Sequence, residues 1–283
     1  MRALSLLLLI FLTACGGKPD SSAPLKPSLL VTIAPYQTLV ARIAGDAFDV
    51  QAVVPANADP HSYEPTSRQV AQMMNGRIWF CIGEPFEKKL LPLLPQTKQL
   101  DLRDRVSMID DEGHCEHCGE DHRDRHIWLS PKQLSIQAEA IAEALSNNFP
   151  DQADVFQARL GAVQQALETL DRDIQDLLSP ALARTFLVSH PAFAYFCRDY
   201  DCHQLSIEQE GKDPRPKELE ELFKYALSSH TELAIALPQH NNKGAQLIAE
   251  KLRIPVRLID PYAANYEETM RKLAALIANP YDE

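Results

Sequence analysis

The sequence predicts an α/β fold of two lobes, each a mainly parallel sheet flanked by helices, joined by one long rigid helix. Short apolar runs alternate with helical patterns along the chain, which is typical of βα units around parallel sheets. From Asp151 to Leu178 the apolar positions recur mostly three and four residues apart, as in one long helix. The apolar runs divide about equally on either side of that segment, which indicates two lobes.

Eight apolar runs are expected to form strands, four on each side of the long helix. A helix of this length would reach about 42 Å, more than the breadth of a small domain, so we expect it to span both lobes. A single large sheet with one covering helix is the alternative. We place the lobes at residues 28–150 and 181–283 and the linking helix at 151–180. The predicted strands are Leu29–Ile33, Asp49–Val54, Ile78–Ile82, Lys98–Leu102, Thr185–Ser189, His203–Ile207, Glu232–Leu237 and Val256–Ile259.

The N-terminus has the pattern of an export signal. Arg2 precedes the apolar run Leu4–Leu12, and small residues then lead to Cys15, a spacing that resembles a bacterial lipobox. A lipoprotein signal peptide over residues 1–14 would leave Cys15 as the lipid attachment site, with residues 15–27 as a tether. A buried N-terminal strand or helix is the alternative. We therefore expect an extracytoplasmic protein of the cell envelope, in the periplasm or at the cell surface, that meets the membrane through its lipid anchor only.

Composition and charge exclude several classes of protein. The chain is 45% hydrophobic and 24% charged, which is ordinary globular composition. With 28 Lys and Arg against 39 Asp and Glu, the net charge is −11. That sign is wrong for coating a phosphate backbone, so we expect no nucleic-acid partner. We expect a monomer.

The cysteines that remain after Cys15 lie in three settings. Cys81 is part of an apolar run and is expected to be a small buried hydrophobe. Cys197 and Cys202 flank a short turn, and in an oxidising compartment they could form a local disulfide or remain two thiols. The other two belong to an acidic loop.

The loop at residues 104–125 has no apolar periodicity and is rich in His, Cys and acidic residues. Two interpretations stay open. Its thiolates, imidazoles and carboxylates could hold a zinc ion loosely and pass it to a tighter site elsewhere in the chain, or its two cysteines could form a disulfide while the charges keep the loop soluble. The candidate secondary ligands are His114, Cys115, His117, Cys118 and His122.

Four potential metal ligands lie beside a proline or at a strand end: His61, His126, His190 and Asp260. Ligands of open α/β sheets bind beyond the carboxyl ends of the strands, which two of these residues directly follow. A neighbouring proline fixes the local backbone and lowers the cost of ordering the ligand. Three neutral imidazoles and one carboxylate suit Zn²⁺, whereas Mn²⁺ prefers oxygen-rich sites. Cu²⁺ would bind such a set more tightly still and is not excluded.

The segments around these residues resemble the zinc- and manganese-binding solute-binding proteins of ABC importers (cluster A-I), which include high-affinity zinc-uptake receptors. The resemblance runs from Val31 to the C-terminus. It implies one metal ion in the interlobe cleft, bound by His61 and His126 of the first lobe and by His190 and Asp260 of the second. The fourth ligand varies in this family, and manganese members usually have Glu where this chain has His190. The matching motifs are Asp-Pro-His-Ser-Tyr-Glu-Pro, Trp-Leu-Ser-Pro, Ser-His-Pro-Ala-Phe-Ala-Tyr and Ile-Asp-Pro.

The function expected from these features is an extracytoplasmic receptor, not an enzyme, that captures Zn²⁺ and delivers it to an ABC permease and its ATPase. One alternative is a zinc hydrolase with three His ligands and Asp260 or Glu64 as general base. The chain lacks the His-Glu-x-x-His segment of many such enzymes. A surface adhesin stabilised by its metal is another. His203, His230 and His240 are expected to be structural or exposed.

Overall fold

The computed structural model describes residues 26–110, 123–179, 184–208 and 214–282. The predicted signal peptide, the lipid-attachment Cys15 and nearly all of the tether lie outside the described residues. The same holds for the candidate loop ligands His114, Cys115, His117, Cys118 and His122. The anchor and both interpretations of the loop therefore stay predictions.

Two four-stranded parallel sheets form the framework of the molecule. Their strand orders are β2-β1-β3-β4 and β6-β5-β7-β8, so the two halves repeat one topology. All eight predicted strands are confirmed, and the single-sheet alternative is wrong for the described strands. The observed strands are β1 (Ser28–Val31), β2 (Asp49–Ala52), β3 (Gly76–Cys81), β4 (Lys98–Asp101), β5 (Thr185–Val188), β6 (His203–Ser206), β7 (Ala234–Ala236) and β8 (Val256–Leu258).

Helices flank both sheets, and several begin at a proline. Pro85, Pro131 and Pro216 are the first residues of their helices, where a missing N–H costs nothing because no carbonyl partner exists there. The helices are α1 (Ala34–Ala44), α2 (Ser67–Met73), α3 (Pro85–Leu90), α4 (Pro131–Asn148), α5 (Ala153–Leu178), α6 (Ala194–Tyr200), α7 (Pro216–Ser228), α8 (Lys243–Leu252) and α9 (Tyr266–Ala278).

The long helix α5 joins the N-terminal lobe (β1–β4 with α1–α4) to the C-terminal lobe (β5–β8 with α6–α9). It has 26 residues and follows a short 3₁₀ turn at Pro150–Gln152, so the helix begins two residues later than predicted. It packs against α1 and α4 of the first lobe and α9 of the second. Its buried face consists of Phe156, Leu160, Val163, Leu167, Leu170, Ile174 and Leu178.

One apolar core runs across both lobes. Trp79 on β3 and Phe193 just before α6 belong to the same cluster of buried side chains. A core that is continuous through α5 makes the joint between the lobes stiff, because opening it would expose apolar surface. Within the described ranges, no helix combines the length and the apolarity needed to cross a membrane.

Candidate metal centre

Three histidines meet between the two lobes. His61 lies in the loop after β2, His126 lies just before α4, and His190 lies two residues after β5. Their ligand nitrogens all lie within 4.8 Å of one another. The Nε2 atoms of His61 and His126 are 3.2 Å apart, and the His190 ring centroid lies 5.1 and 5.2 Å from the other two. Side chains distant in sequence thus converge where the lobes face each other.

His126 is held by its own segment of chain. Asp124 Oδ1 accepts a hydrogen bond from the His126 backbone N–H at 2.8 Å and contacts the ring Nδ1 at 2.6 Å. Just beyond, Ser130 caps α4 by accepting from Gln133 N at 3.4 Å. The imidazole is therefore fixed by a turn that runs directly into a helix.

His61 is held by a buried glutamate from another element. Glu84, the residue that precedes α3, is 0% exposed and places Oε2 3.0 Å from His61 Nδ1. The backbone N–H of His61 donates to Asp59 Oδ1 at 2.9 Å, which closes the turn that carries it. The contact with Glu84 thereby joins the loop after β2 to the segment that follows the carboxyl end of β3.

A carboxylate contacts Nδ1 of every histidine in this group. Such a contact places the proton on Nδ1, orients the ring, and leaves the Nε2 lone pair for a metal, an arrangement common behind metal-ligating imidazoles. The pairs are His61 with Glu84, His126 with Asp124, and His190 with Glu208, at 3.0, 2.6 and 3.1 Å.

In the absence of metal, a proton lies between the Nε2 atoms of His61 and His126. Burial opposes the charge, but the Glu84 carboxylate outweighs it and raises the pKa of His61 to about 9. Burial and the charge on His61 hold the pKa of His126 well below its usual value. Because both Nδ1 atoms face carboxylates, imidazolium His61 donates through Nε2 to neutral His126. A cation would replace that proton.

His190 completes the group as a neutral ligand. Burial lowers the pKa of His190 to about 3, although the hydrogen bond to Glu208 opposes the shift. Its Nε2 is buried and has no hydrogen-bond partner among the described residues. A buried acceptor without a partner is costly, which makes such an atom a candidate for binding a ligand.

Asp260 lies outside this group. Its Oδ1 accepts from Gln239 Nε2 and from the Tyr262 backbone N–H, both at 2.9 Å. Among the residues that the structure describes, it belongs to neither of the two sets whose ligand atoms lie within 4.8 Å of one another. The turn after β8 uses the carboxylate that the sequence predicts as the fourth ligand, and its ligation of metal stays a prediction.

The second set contains two residues that the sequence analysis missed as site residues. His190, Glu208 and His240 also have ligand atoms within 4.8 Å of one another. The side chain of His240, expected to be structural or exposed, is 8% exposed and lies 3.5 Å from Glu208 Oε2. Glu208 follows β6 and His240 follows β7, so their positions beyond strand ends were the available signal.

Residues 29–279 match the family model of ZnuA, the periplasmic component A of a zinc-uptake complex. The chain belongs to the ZnuA family. Members of this family are solute-binding receptors of ABC importers rather than enzymes.

Individual relatives accompany the family match, one of them over its whole length. A Chlamydia trachomatis protein described as a candidate metal-binding protein is 33% identical over 280 residues, 99% of this chain and 100% of its own. The zinc-binding lipoprotein AdcA of Streptococcus pneumoniae is 30% identical over 243 residues, 80% of this chain but 48% of its own. A crystal structure of ZnuA has a TM-score of 0.85 at 33% identity, covering 91% of this chain and all of that one.

Neither carboxylate considered for a hydrolase serves as a base in this ZnuA-family site. The Glu64 side chain is 74% exposed and forms an ion pair with Lys89 at 2.8 Å. Asp260 is engaged by Gln239 and Tyr262. The family and the geometry both disfavour the hydrolase alternative.

The remaining cysteines are structural in character. Cys202 Sγ donates to Cys197 Sγ across 3.4 Å, so the two are thiols in contact rather than a disulfide. Cys81 is buried as expected, and burial raises the pKa of its thiol well above the usual value. None of the three belongs to either metal-binding set.

Proposed function

We propose that this protein is an extracytoplasmic receptor that captures Zn²⁺ between its two lobes and delivers it to an ABC-type importer. The observation that carries the proposal is the convergence of His61, His126 and His190, each with a carboxylate at Nδ1. Imidazole nitrogens are among the ligands that zinc prefers. The zinc-binding AdcA relative and a zinc-bound ZnuA deletion mutant, 33% identical with a TM-score of 0.84, support the same cargo.

The charges around the site suit a divalent cation. Three imidazoles are neutral when they ligate, so an ion would keep its full double charge in a buried place. The carboxylates of Glu84, Asp124 and Glu208, one behind each ring, compensate that charge and make the nitrogens better donors. Burial raises the pKa of Asp124 to about 7, and a bound cation would favour its ionised form.

An ion at this point bridges the lobes. His61 and His126 come from the N-terminal lobe and His190 from the C-terminal lobe. Trp128 Nε1 donates to Pro261 O at 2.9 Å, and Tyr195 OH donates to Asp124 O at 2.9 Å, so hydrogen bonds already cross the cleft. With α5 continuous between the lobes, we infer that capture and release need only small displacements.

We propose that the receptor works as a monomer attached to the membrane by a lipid on Cys15. The lipobox-like spacing at Leu12–Cys15 supports this anchor, as does the lipoprotein nature of the AdcA relative. The permease and its ATPase would then meet a receptor confined near the membrane surface.

Chelator competition with Zn²⁺ tests the function. His61→Ala and His190→Ala should each weaken zinc affinity about 100-fold or more, because loss of a direct ligand should cost at least as much as loss of the outer-shell partner that orients it. Asp260→Ala should have a much smaller effect. His203→Ala, an exposed residue on β6, is the matched control and should bind like the parent. Parent-like affinity in both ligand variants would refute the assignment.

A further inference from the structure

His240 lies against the metal centre without being one of its three convergent histidines. It is on the turn between β7 and α8, and its ring stacks on that of His190 with centroids 4.0 Å apart and planes 6° from parallel. Its side chain is 8% exposed. The stacking places a second imidazole beside the candidate ligand His190, close enough to take part in metal binding.

One carboxylate orients both stacked rings. Glu208 Oε2 lies 3.1 Å from His190 Nδ1 and 3.5 Å from His240 Nδ1. A carboxylate at Nδ1 favours a proton there, which leaves a lone pair on each Nε2. Both Nε2 atoms are buried, and neither has a hydrogen-bond partner within the described ranges. Two adjacent lone pairs repel each other unless a cation or a donor lies against them.

We propose that His240 is the fourth zinc ligand, binding through Nε2, so that the loaded site consists of four imidazoles, two from each lobe. The inference rests on the proposed function and names a residue of the same site.

The required movement is a tilt of the His240 ring. Zinc–nitrogen bonds of about 2.0–2.1 Å place tetrahedral ligands about 3.3 Å apart. His61 and His126 already meet this spacing at 3.2 Å between their Nε2 atoms. The His240 ring lies 4.0 Å from that of His190 and 6.4 Å from that of His61, so it must tilt toward the ion. A residue on a turn can do so without disturbing a strand or helix.

Asp260 is less suited to this role. Its Oδ1 accepts two hydrogen bonds, from Gln239 and from the Tyr262 backbone, that ligation at that oxygen would weaken or break. His240 Nε2 has no such bond to lose. Four nitrogen ligands would also raise the preference for Zn²⁺ over Mn²⁺, which favours oxygen.

X-ray absorption at the zinc edge counts the imidazoles directly. The parent loaded with one equivalent of Zn²⁺ should give four. His240→Phe keeps an aromatic ring on His190 and should give three, with zinc affinity about 10 to 100-fold weaker. Asp260→Asn should keep four imidazoles and nearly the parent affinity. His203→Phe, which removes an exposed imidazole, is the control.

A count of three imidazoles in the parent would overturn the proposal, and so would an unchanged count in His240→Phe. The parent measurement decides even if a variant fails to fold, and His240→Asn supplies a smaller replacement. Failure of the proposed function would look different: the parent would bind no stoichiometric zinc, or His61→Ala would leave its affinity unchanged.

Discussion

The protonation of a single residue, His61, governs the affinity of the site for a metal ion. It forms a buried pair with Glu84 and donates to His126 across 3.2 Å. Burial opposes the charge on both partners, yet their mutual attraction lowers the pKa of Glu84 and raises that of His61. The neutral histidines beside it are ready to ligate, whereas His61 must first lose a proton.

Zinc binding should therefore release at least one proton at pH 7, one from His61 and a further fraction from Asp124. Because the pKa of His61 is raised to about 9, its proton competes with zinc at every pH below that value. Affinity should rise about tenfold per pH unit from neutral pH toward 9 and then level off. The usual histidine value would predict a window near 6.5, lower by more than two units. Calorimetry in buffers of different ionisation enthalpy measures the released proton.

Glu84→Gln provides the check on this mechanism. Without the carboxylate, the pKa of His61 falls and the steep range of affinity moves to lower pH. Glu64→Gln, an exposed carboxylate paired with Lys89, should leave the profile unchanged. An identical pH profile in the parent and in Glu84→Gln would contradict the role assigned to this pair.

At the scale of elements, α5 stabilises both lobes through one face. Its buried positions recur three and four residues apart and pack against α1, α4 and α9. The other face is polar and exposed, apart from scattered residues such as Val155. The helix is stable because of this packing rather than through end caps, since no side chain caps its first residue.

Leu170→Ala should destabilise the protein by about 2–5 kcal/mol. Leu170 is 0% exposed, and its truncation would leave a cavity where the lobes join. Val155→Ala on the same helix is the control, since Val155 is 45% exposed and its loss should cost less than about 0.5 kcal/mol. Urea denaturation of zinc-free protein measures both. Equal effects would contradict the packing described for α5.

At the scale of the whole molecule, both lobes have the same strand order, and the carboxyl ends of both sheets lie at one cleft. In each lobe the first and third strands are neighbours and the chain crosses over to opposite sides, which creates a crevice at their carboxyl ends. His190, Glu208 and His240 follow β5, β6 and β7 and so share one edge. The apolar core is made of hydrophobic side chains of the sheets and helices, and none of the three convergent histidines belongs to it.

The zinc-free protein should therefore stay folded after chelation. Its apolar core does not depend on the metal, unlike that of a metal-stabilised adhesin, which should unfold when stripped. Adding free zinc at about 100 times its dissociation constant should then raise the free energy of unfolding by about 2.7 kcal/mol. Near-ultraviolet circular dichroism and thermal melts with and without chelator test this, and cooperative unfolding on chelation alone would contradict it.

The local pattern of the sequence was sufficient to predict the eight strands, the long helix and three convergent histidines. Buried parallel strands require continuous apolar runs, a helix requires its 3.6-residue period, and ligands collect beyond strand ends, so each signal lies within a few consecutive residues. Asp124 and His126 are also close in sequence, two residues apart, but no sequence motif indicated that they form a pair.

Only the tertiary structure decided which groups surround those histidines. Glu84, Glu208 and His240 reach the site from separate loops. Their positions beyond strand ends place them near the cleft but do not show which histidine each one contacts. Whether Asp260 is available depends on Gln239, a neighbour supplied by the turn after β7. Hydrogen-bond partners and burial are properties of the packed chain. They determine both the raised pKa of His61 and the lack of a hydrogen-bond partner for His240 Nε2 among the described residues.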